Sequence, residues 1–298
     1  GFIGNYVAQA LLERGARVRI ASRNPDKAFK LKPLANLGQI QFARCNAADR
    51  TSVERSIAGA DAVVNLIGAF DGNLRRLMGE APGWMAEAAA STGARAFVHV
   101  SAIAPEPDED AEIEYAAAKR LGEKQVLAAF PKATILRPSI VFGKDDKFIN
   151  MFAGLISNLP VLPVFAPDAK LQPVYVDDVA EAAVRALEQP DVFGGKIYEL
   201  GGPEQLSMMD INRAIAGAQY RDRSFLPMPD AISAIFAALP GTPMGSDQWE
   251  LLKSGNVVSG DHPGFDKFGI SPRPLSLFLD KWMVQYRKHG RFNERASV

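Results

Sequence analysis

Gly1-Phe2-Ile3-Gly4 runs directly into the helix-prone stretch Asn5-Tyr6-Val7-Ala8-Gln9-Ala10-Leu11-Leu12-Glu13-Arg14. Two glycines three residues apart at a helix start read as the second half of a dinucleotide-binding loop, G-x-G-x-x-G or G-x-x-G-x-x-G. In such a loop one glycine lets the backbone approach a pyrophosphate, and the last lets the helix pack closely on a strand. Gly1 takes the first role here and Gly4 the second, with Phe2 and Ile3 supplying backbone N–H groups at the helix start. The strand that delivers the first glycine is normally the centre of the sheet. The reading therefore expects roughly ten residues ahead of Gly1. Two glycines before a helix are weak alone, so the case depends on the rest of the chain.

A second set of residues falls where a ribose would lie. Arg17-Val18-Arg19-Ile20-Ala21 reads as a strand ending at Ser22-Arg23-Asn24-Pro25. An NAD-binding loop places Asp or Glu about twenty residues past the glycines, whereas an Arg there receives a 2′-phosphate. Arg23 lies nineteen residues after Gly4, Ser22 is beside it, and no acid occurs until Asp26. A guanidinium offers a planar fork of donors to phosphate. The competing reading is an ordinary solvated Arg at a strand end. Together with the glycines, the residues favour NADP(H) over NAD(H).

The first half alternates short apolar runs with helical stretches, the pattern of an α/β, Rossmann-type, doubly wound parallel sheet. After the strand at 17–21 come strands at 39–44, 61–68, 96–101 and 133–138, separated by helices near 51–58, 84–92 and 112–130. The strand expected ahead of Gly1 would be the first of six. The strands look buried on both faces. This gives a nucleotide-binding domain over 1–145 with returns near 171–187 and 196–203. Residues 146–298 then form a smaller, mixed C-terminal lobe, with strand-like runs at 171–176 and 196–200 and a helix at 231–239.

At 298 residues the chain is long enough for both parts, and 47% hydrophobic with 23% charged residues is an ordinary globular composition. Thirty-four basic residues balance thirty-four acidic ones, which argues against nucleic acid as a partner. The single cysteine, Cys45, excludes an intramolecular disulfide and suits a reducing, cytoplasmic setting. His99, His262 and His289 form no metal-ligand spacing, and no metal site is expected. The stretch 148–165 comes nearest to a membrane span but is broken by Asn150, Asn158, Pro160 and Pro163.

Tyr115-Ala116-Ala117-Ala118-Lys119 carries the candidate chemistry. Four-residue spacing puts phenol and ammonium on one helical face. Of the six tyrosines only Tyr115 has a lysine four residues on. A nearby lysine lowers a tyrosine pKa and so makes the phenol a better acid/base for hydride chemistry at a carbonyl. The competing reading is a solvent-facing helix pair. Tyr115, Lys119 and Ser101, which ends the strand before this helix, are the candidate catalytic residues.

In these residues the chain resembles the extended and atypical short-chain dehydrogenase/reductase superfamily. The resemblance rests on the glycine loop, Asn65 and Gly68, Ser101, the Tyr115/Lys119 pair and Arg137-Pro138-Ser139-Ile140-Val141-Phe142-Gly143. It continues through Gln172-Pro173-Val174-Tyr175-Val176-Asp177-Asp178-Val179-Ala180 and Tyr198-Glu199-Leu200-Gly201-Gly202-Pro203, covering nearly the whole chain. More narrowly, Lys144-Asp145-Asp146-Lys147-Phe148-Ile149-Asn150 after that first run is similar to the family of NADPH-binding accessory subunits of respiratory complex I and their bacterial relatives. The resemblance implies that Gly1 and Gly4 hold the pyrophosphate and Arg23 the 2′-phosphate. It also implies that Gly68 passes close to the cofactor and that Lys119 holds the nicotinamide ribose. Pro138 and Ile140 would belong to the wall beside the nicotinamide. Asn46 stands where an adenine-facing Asp is common. Asp177 and Asp178 are expected to cap a helix over 179–187.

The departures bear on turnover. Active extended members usually carry Ser or Thr two residues beyond Ser101; Ile103 stands there and neither donates nor accepts through its side chain. The loop to Tyr115 is short and acidic, Pro105-Glu106-Pro107-Asp108-Glu109-Asp110. The expectation is a bound cofactor that is seldom turned over, in a complex I or ubiquinone-system accessory protein. The alternative is an NADP-dependent reductase, epimerase or dehydratase using Tyr115 and Lys119; a redox-sensing binding module is a third reading. In the tail 281–298, Lys281, Arg287, Lys288, Arg291 and Arg295 oppose Glu294, with Trp282 and Tyr286 interleaved. This offers contact with a membrane surface or acidic partner, placing the protein peripherally on an inner membrane, on the matrix side in a mitochondrion. The competing reading packs those aromatics on the lobe.

Overall fold

The computed structural model describes residues 1–105, 113–238 and 245–292. The acidic stretch 106–110, Leu239, Glu294 and Arg295 lie outside the described residues.

In chain order the first part holds α1 (Phe2–Glu13), β1 (Val18–Ser22), β2 (Ile40–Arg44), α2 (Arg50–Ile57), β3 (Ala62–Asn65), α3 (Ala81–Ser91), β4 (Ala96–Val100), α4 (Glu114–Ala129) and β5 (Thr134–Pro138). Then follow β6 (Val141–Phe142), α5 (Phe148–Asn158), β7 (Val161–Val164), β8 (Lys170–Leu171), β9 (Val174–Tyr175), α6 (Val176–Glu188), α7 (Pro190–Phe193) and β10 (Ile197–Leu200). The last part holds β11 (Leu206–Ser207), α8 (Met208–Ala218), β12 (Ser224–Pro227), α9 (Asp230–Ala238), α10 (Ser246–Lys253) and α11 (Ser276–Trp282). None of the described helices is long and apolar enough to cross a membrane.

The chain divides into two compact units. The first comprises Gly1–Pro138, Val176–Leu200 and Ser259–Ser271. Its strands are all parallel, in two ladders, β2-β1 and β3-β4-β5-β10. Among the described residues no ladder joins β1 to β3, the place where the sequence reading puts a central strand. All five residues of β4 are buried, as a strand with two covered faces requires. On one face of β1 and β2, Val18, Ile20, Ile40 and Phe42 pack with Ala8 of α1 and with Ala28 and Leu31 of the helical turn Pro25–Leu34. Around β3–β5, Phe97, Ile135 and Val63 meet Ala81, Met85, Ala89 and Val126. The segment Ser259–Ser271 is tied into this unit by Glu199, whose carboxylate accepts from the Ser259 N–H at 2.6 Å and hydroxyl at 2.9 Å. Phe268 stacks on Phe193 at 4.5 Å.

The helix over 179–187 begins earlier than expected, at Val176. Asp177 and Asp178 therefore lie inside its first turn rather than at its cap. There they still favour the positive end of the helix dipole.

The second unit comprises Ser139–Tyr175, Gly201–Val258 and Pro272–Val298. It contains three two-stranded ladders, β6-β9 and β7-β12 parallel and β8-β11 antiparallel. Tyr175, Phe278 and Trp282 form a stacked column, with centroids 4.2 and 4.8 Å apart, and Phe142 lies against it. Trp282 is thus spent inside the unit, and the Tyr286 hydroxyl donates to Asn150 at 2.7 Å. Of the tail cations, Arg287 is also committed: it lies over the Tyr220 ring at 3.9 Å and donates to Ala218 O at 2.9 Å. The Lys144–Asn150 motif is a turn that starts α5. Asp146 accepts from the backbone N–H groups of Gly143 and Ile149, and the Asn150 amide donates to Lys144 O and Asp146 O.

Candidate functional site

In the first unit the sequence-selected residues gather at the C-terminal ends of the parallel strands. Gly1 is the N-cap of α1, no side chain caps that helix, and its first turn holds no acid. The first N–H groups of α1 are therefore free to meet an anion, the arrangement that binds phosphate at a helix start. A methyl group at Gly1 or Gly68 would meet nothing within 4 Å, so the backbone there is open to approach. At Gly4 it would meet only Leu66 Cδ1 at 3.6 Å, an ordinary contact. The close packing expected of Gly4 is thus less tight than its motif position implies.

Ser22 ends β1 half-buried, and Arg23 follows it exposed. Asn46 follows β2 and uses its side-chain oxygen locally, accepting from Ala48 N at 3.1 Å, which leaves its amide donors for other partners. Pro138 ends β5 buried in the first unit, whereas Ile140 belongs to the second, where its carbonyl accepts from Val174 N. Main-chain pairing continues past β4: Ser101 N donates to Leu136 O at 2.7 Å and Ile103 N to Pro138 O at 3.1 Å.

Tyr115 and Lys119 stand one turn apart on α4, but their electrostatics differ from the expectation. The Lys119 side chain is buried and its ammonium donates to the carbonyls of Ile67 and Val100, each at 3.2 Å. Burial in that pocket lowers its pKa to about 8, with Glu123 opposing the shift. Its nitrogen lies 5.9 Å from the centre of the Tyr115 ring. Tyr115 is itself covered by Phe70, stacked at 4.8 Å with an interplanar angle of 13°. Burial pushes the phenol up to about 12 rather than down. Burial at Tyr115 thus acts against the activation expected from Lys119.

Beneath Lys119 lies a buried polar group that the spacing of the histidines gave no reason to suspect. Asn65 Nδ2 donates to His99 Nδ1 at 2.9 Å across the β3–β4 ladder, and Asn65 Oδ1 accepts from Ile67 N at 3.1 Å. Burial first, and then the charge of Lys119, hold His99 neutral, its pKa lowered to about 3. His99 Nε2 and Ser101 Oγ are buried without a protein partner. Ser101 Oγ is an orphaned hydroxyl near the end of β4, available to a ligand's polar edge. Phe70 was equally hidden, since it sits in a loop without periodicity; its position two residues beyond Gly68 was the available signal. Among the described residues no group of His, Cys, Asp or Glu is arranged to hold a metal ion.

An open helix start, an unfilled glycine cradle and an orphaned hydroxyl fit a nicotinamide dinucleotide. Comparison with known proteins bears on the same unit: residues 1–201 match the NAD dependent epimerase/dehydratase family. The chain belongs to this family. Among epimerase/dehydratase relatives, the NADH dehydrogenase (ubiquinone) 1 alpha subcomplex subunit 9, mitochondrial, of Mus musculus is 31% identical, over 100% of this chain and 80% of its own length. A nucleoside-diphosphate-sugar epimerase of Staphylococcus aureus superposes with a TM-score of 0.73 at 16% identity, covering 94% of this chain and 97% of that one. The NADPH-dependent quinone oxidoreductase of Escherichia coli, complexed with NADPH, gives 0.71 at 17% identity, over 94% and 95%. These structural likenesses establish an α/β, NAD(P)-binding type of fold for this epimerase/dehydratase family member.

Proposed function

We propose that this protein is an accessory or assembly factor of the NADH:ubiquinone oxidoreductase, or of the ubiquinone system, that holds NADP(H) largely as a structural element. The relationship to the mouse subunit along the whole chain supports the assignment to that complex. The observation that carries the structural role is the covered Tyr115: its ring lies under Phe70 and its proton is held up to about pH 12. A phenol that tightly protonated is a poor base at neutral pH. Ile103 adds no side-chain partner for a substrate. In this reading Gly1 to Gly4 receive the pyrophosphate at the start of α1, and Arg23 lies on the 2′-phosphate side. Asn46 faces the adenine, Gly68 passes close to the cofactor, and Lys119 reaches the nicotinamide ribose with its remaining N–H. Pro138 belongs to the nicotinamide wall. When bound, the nicotinamide supplies hydride chemistry, and bound nucleotide stabilises the fold by mass action. The expected location is peripheral, on the inner membrane.

Purifying the full-length protein from its host and identifying the bound nucleotide and the co-purifying partners tests this. NADP(H) with respiratory subunits is the expected result. One observation favours a second reading, a reductase, epimerase or dehydratase: the orphaned Ser101 hydroxyl at a site that retains the Tyr115/Lys119 pair. Steady NADPH oxidation with a quinone or sugar nucleotide, abolished by Tyr115→Phe, would reverse the order of the two.

A further inference from the structure

The β1–β2 ladder places a second guanidinium beside the site. The register is Val18↔Ile40, Ile20↔Phe42 and Ser22↔Arg44, so these residues share one face of the ladder. That face carries α1 and the turn Pro25–Leu34, since Val18, Ile20, Ile40 and Phe42 pack there with Ala8, Ala28 and Leu31. The opposite face holds Arg19, whose guanidinium donates to its ladder partner Gln41 at 2.8 Å and to Ser56 O and Ala58 O. Arg23 follows Ser22 in a bend, exposed and outside the paired residues of the ladder. Arg44 instead lies beside Ser22, and directly paired residues bring their Cβ atoms to about 5 Å.

Both strands run upward to the end where α1 begins. Gln39, at the lower end of β2, donates to Leu12 O near the end of α1, so Ser22 and Arg44 share the upper end with Gly1. Arg44 is exposed, and among the described residues no hydrogen bond or ion pair engages its side chain. β1 and β2 contain no acid that would neutralise it or claim a ribose hydroxyl. Lys30 and Lys27 add positive potential at Gly1.

We infer that Arg44, with Ser22 beside it, is the principal receptor of the 2′-phosphate, and that Arg23 is secondary. The inference rests on the NADP(H) reading above and assigns the phosphate to a residue that the glycine-to-arginine spacing does not point to. A guanidinium there donates two parallel N–H bonds to phosphate oxygens, geometry that a lysine lacks.

The test is calorimetric titration of the full-length protein with NADPH and with NADH, for wild type, Arg44→Gln, Arg44→Lys and Arg23→Gln. Thermal melts monitor folding. Arg44→Gln should weaken NADPH by about tenfold or more and leave NADH within about twofold, as loss of a charge-assisted contact predicts. Arg44→Lys should fall between, and Arg23→Gln should weaken NADPH less than about threefold. Competition by 2′,5′-ADP but not 5′-ADP against wild-type NADPH binding provides a readout independent of the variants' folding. Equal weakening of both dinucleotides by Arg44→Gln, or a loss confined to Arg23→Gln, overturns the assignment while NADP(H) binding stands. A wild-type protein that binds NADH as tightly as NADPH overturns the NADP(H) reading and the assignment with it.

Discussion

Lys119 and Tyr115 are best understood as groups that the fold holds away from their ordinary proton equilibria. Lys119 binds its proton less tightly when folded, about 8 against 10.5. Between those values the unfolded chain holds one more proton than the native one, so stability rises with pH across that window. Tyr115 acts oppositely: its folded value of about 12 lies above the ordinary value of 10.0, so its contribution falls above pH 10. His99 is already neutral throughout, and Glu123 only tempers the lysine. Urea unfolding should therefore show stability rising from about pH 8 to 10 and levelling or falling beyond. The lysine contribution is on the order of 3 kcal/mol at most. Lys119→Met should be more stable than wild type at pH 7 and lack the rise; parallel curves would contradict a desolvation cost for the buried ammonium. Phe70 permits a second residue-level prediction. Phe70→Ala removes the ring stacked on Tyr115, so acetylimidazole labelling of Tyr115, read by peptide mass spectrometry, should increase severalfold. Tyr198, 2% exposed, serves as the unlabelled reference. Equal labelling of Tyr115 in both proteins would show that Phe70 does not cover it.

At the scale of elements, α4 owes its position to glycine. A methyl group on Gly122 would overlap the Met78 carbonyl oxygen, so the helix carrying Tyr115 and Lys119 lies directly against its neighbour's backbone. Gly122→Ala should therefore destabilise. Overpacking costs about 1–3 kcal/mol and exceeds the ~1 kcal/mol that alanine gains over glycine inside a helix. The unfolding midpoint should drop, and a raised one would mean that α4 has room to spare. The four-residue spacing of Tyr115 and Lys119 was readable from sequence because helical periodicity is local. The direction of the ammonium was not, because it depends on the Ile67 and Val100 carbonyls, which arrive from β3 and β4. The same limit explains Asp177 and Asp178. Residue preference alone places them at a cap, but α6 begins at Val176 and takes them into its first turn.

For the whole molecule, alternation of strands and helices was legible because the strands are apolar runs, on both faces in β4 and on one face in β1 and β2, whose other face carries Arg19 and Gln41. The segment Ser259–Ser271 was not. Its attachment rests on scattered long-range contacts, among them Ser259 on Glu199, Glu199 N–H on Pro263 O and Phe268 on Phe193, which leave no periodic trace. The tail shows the same division. Its basic and aromatic composition reads as a membrane-facing surface, yet Trp282, Tyr286 and Arg287 are engaged inside the second unit, so truncation from Arg287 would damage folding as well as any contact. Among the charged and aromatic residues described in the tail, Lys281, Lys288, Arg291 and Phe292 remain outward, the last 92% exposed. Each basic side chain near an anionic leaflet contributes about 1 kcal/mol, and an exposed ring adds apolar insertion. The full-length protein should therefore co-sediment with phosphatidylglycerol vesicles at low salt and release as salt rises. Combining Lys288→Glu, Arg291→Glu and Phe292→Ser should abolish sedimentation while leaving the thermal midpoint and nucleotide binding unchanged. Undiminished sedimentation of that variant would remove this end of the chain from the membrane contact and leave attachment to a protein partner.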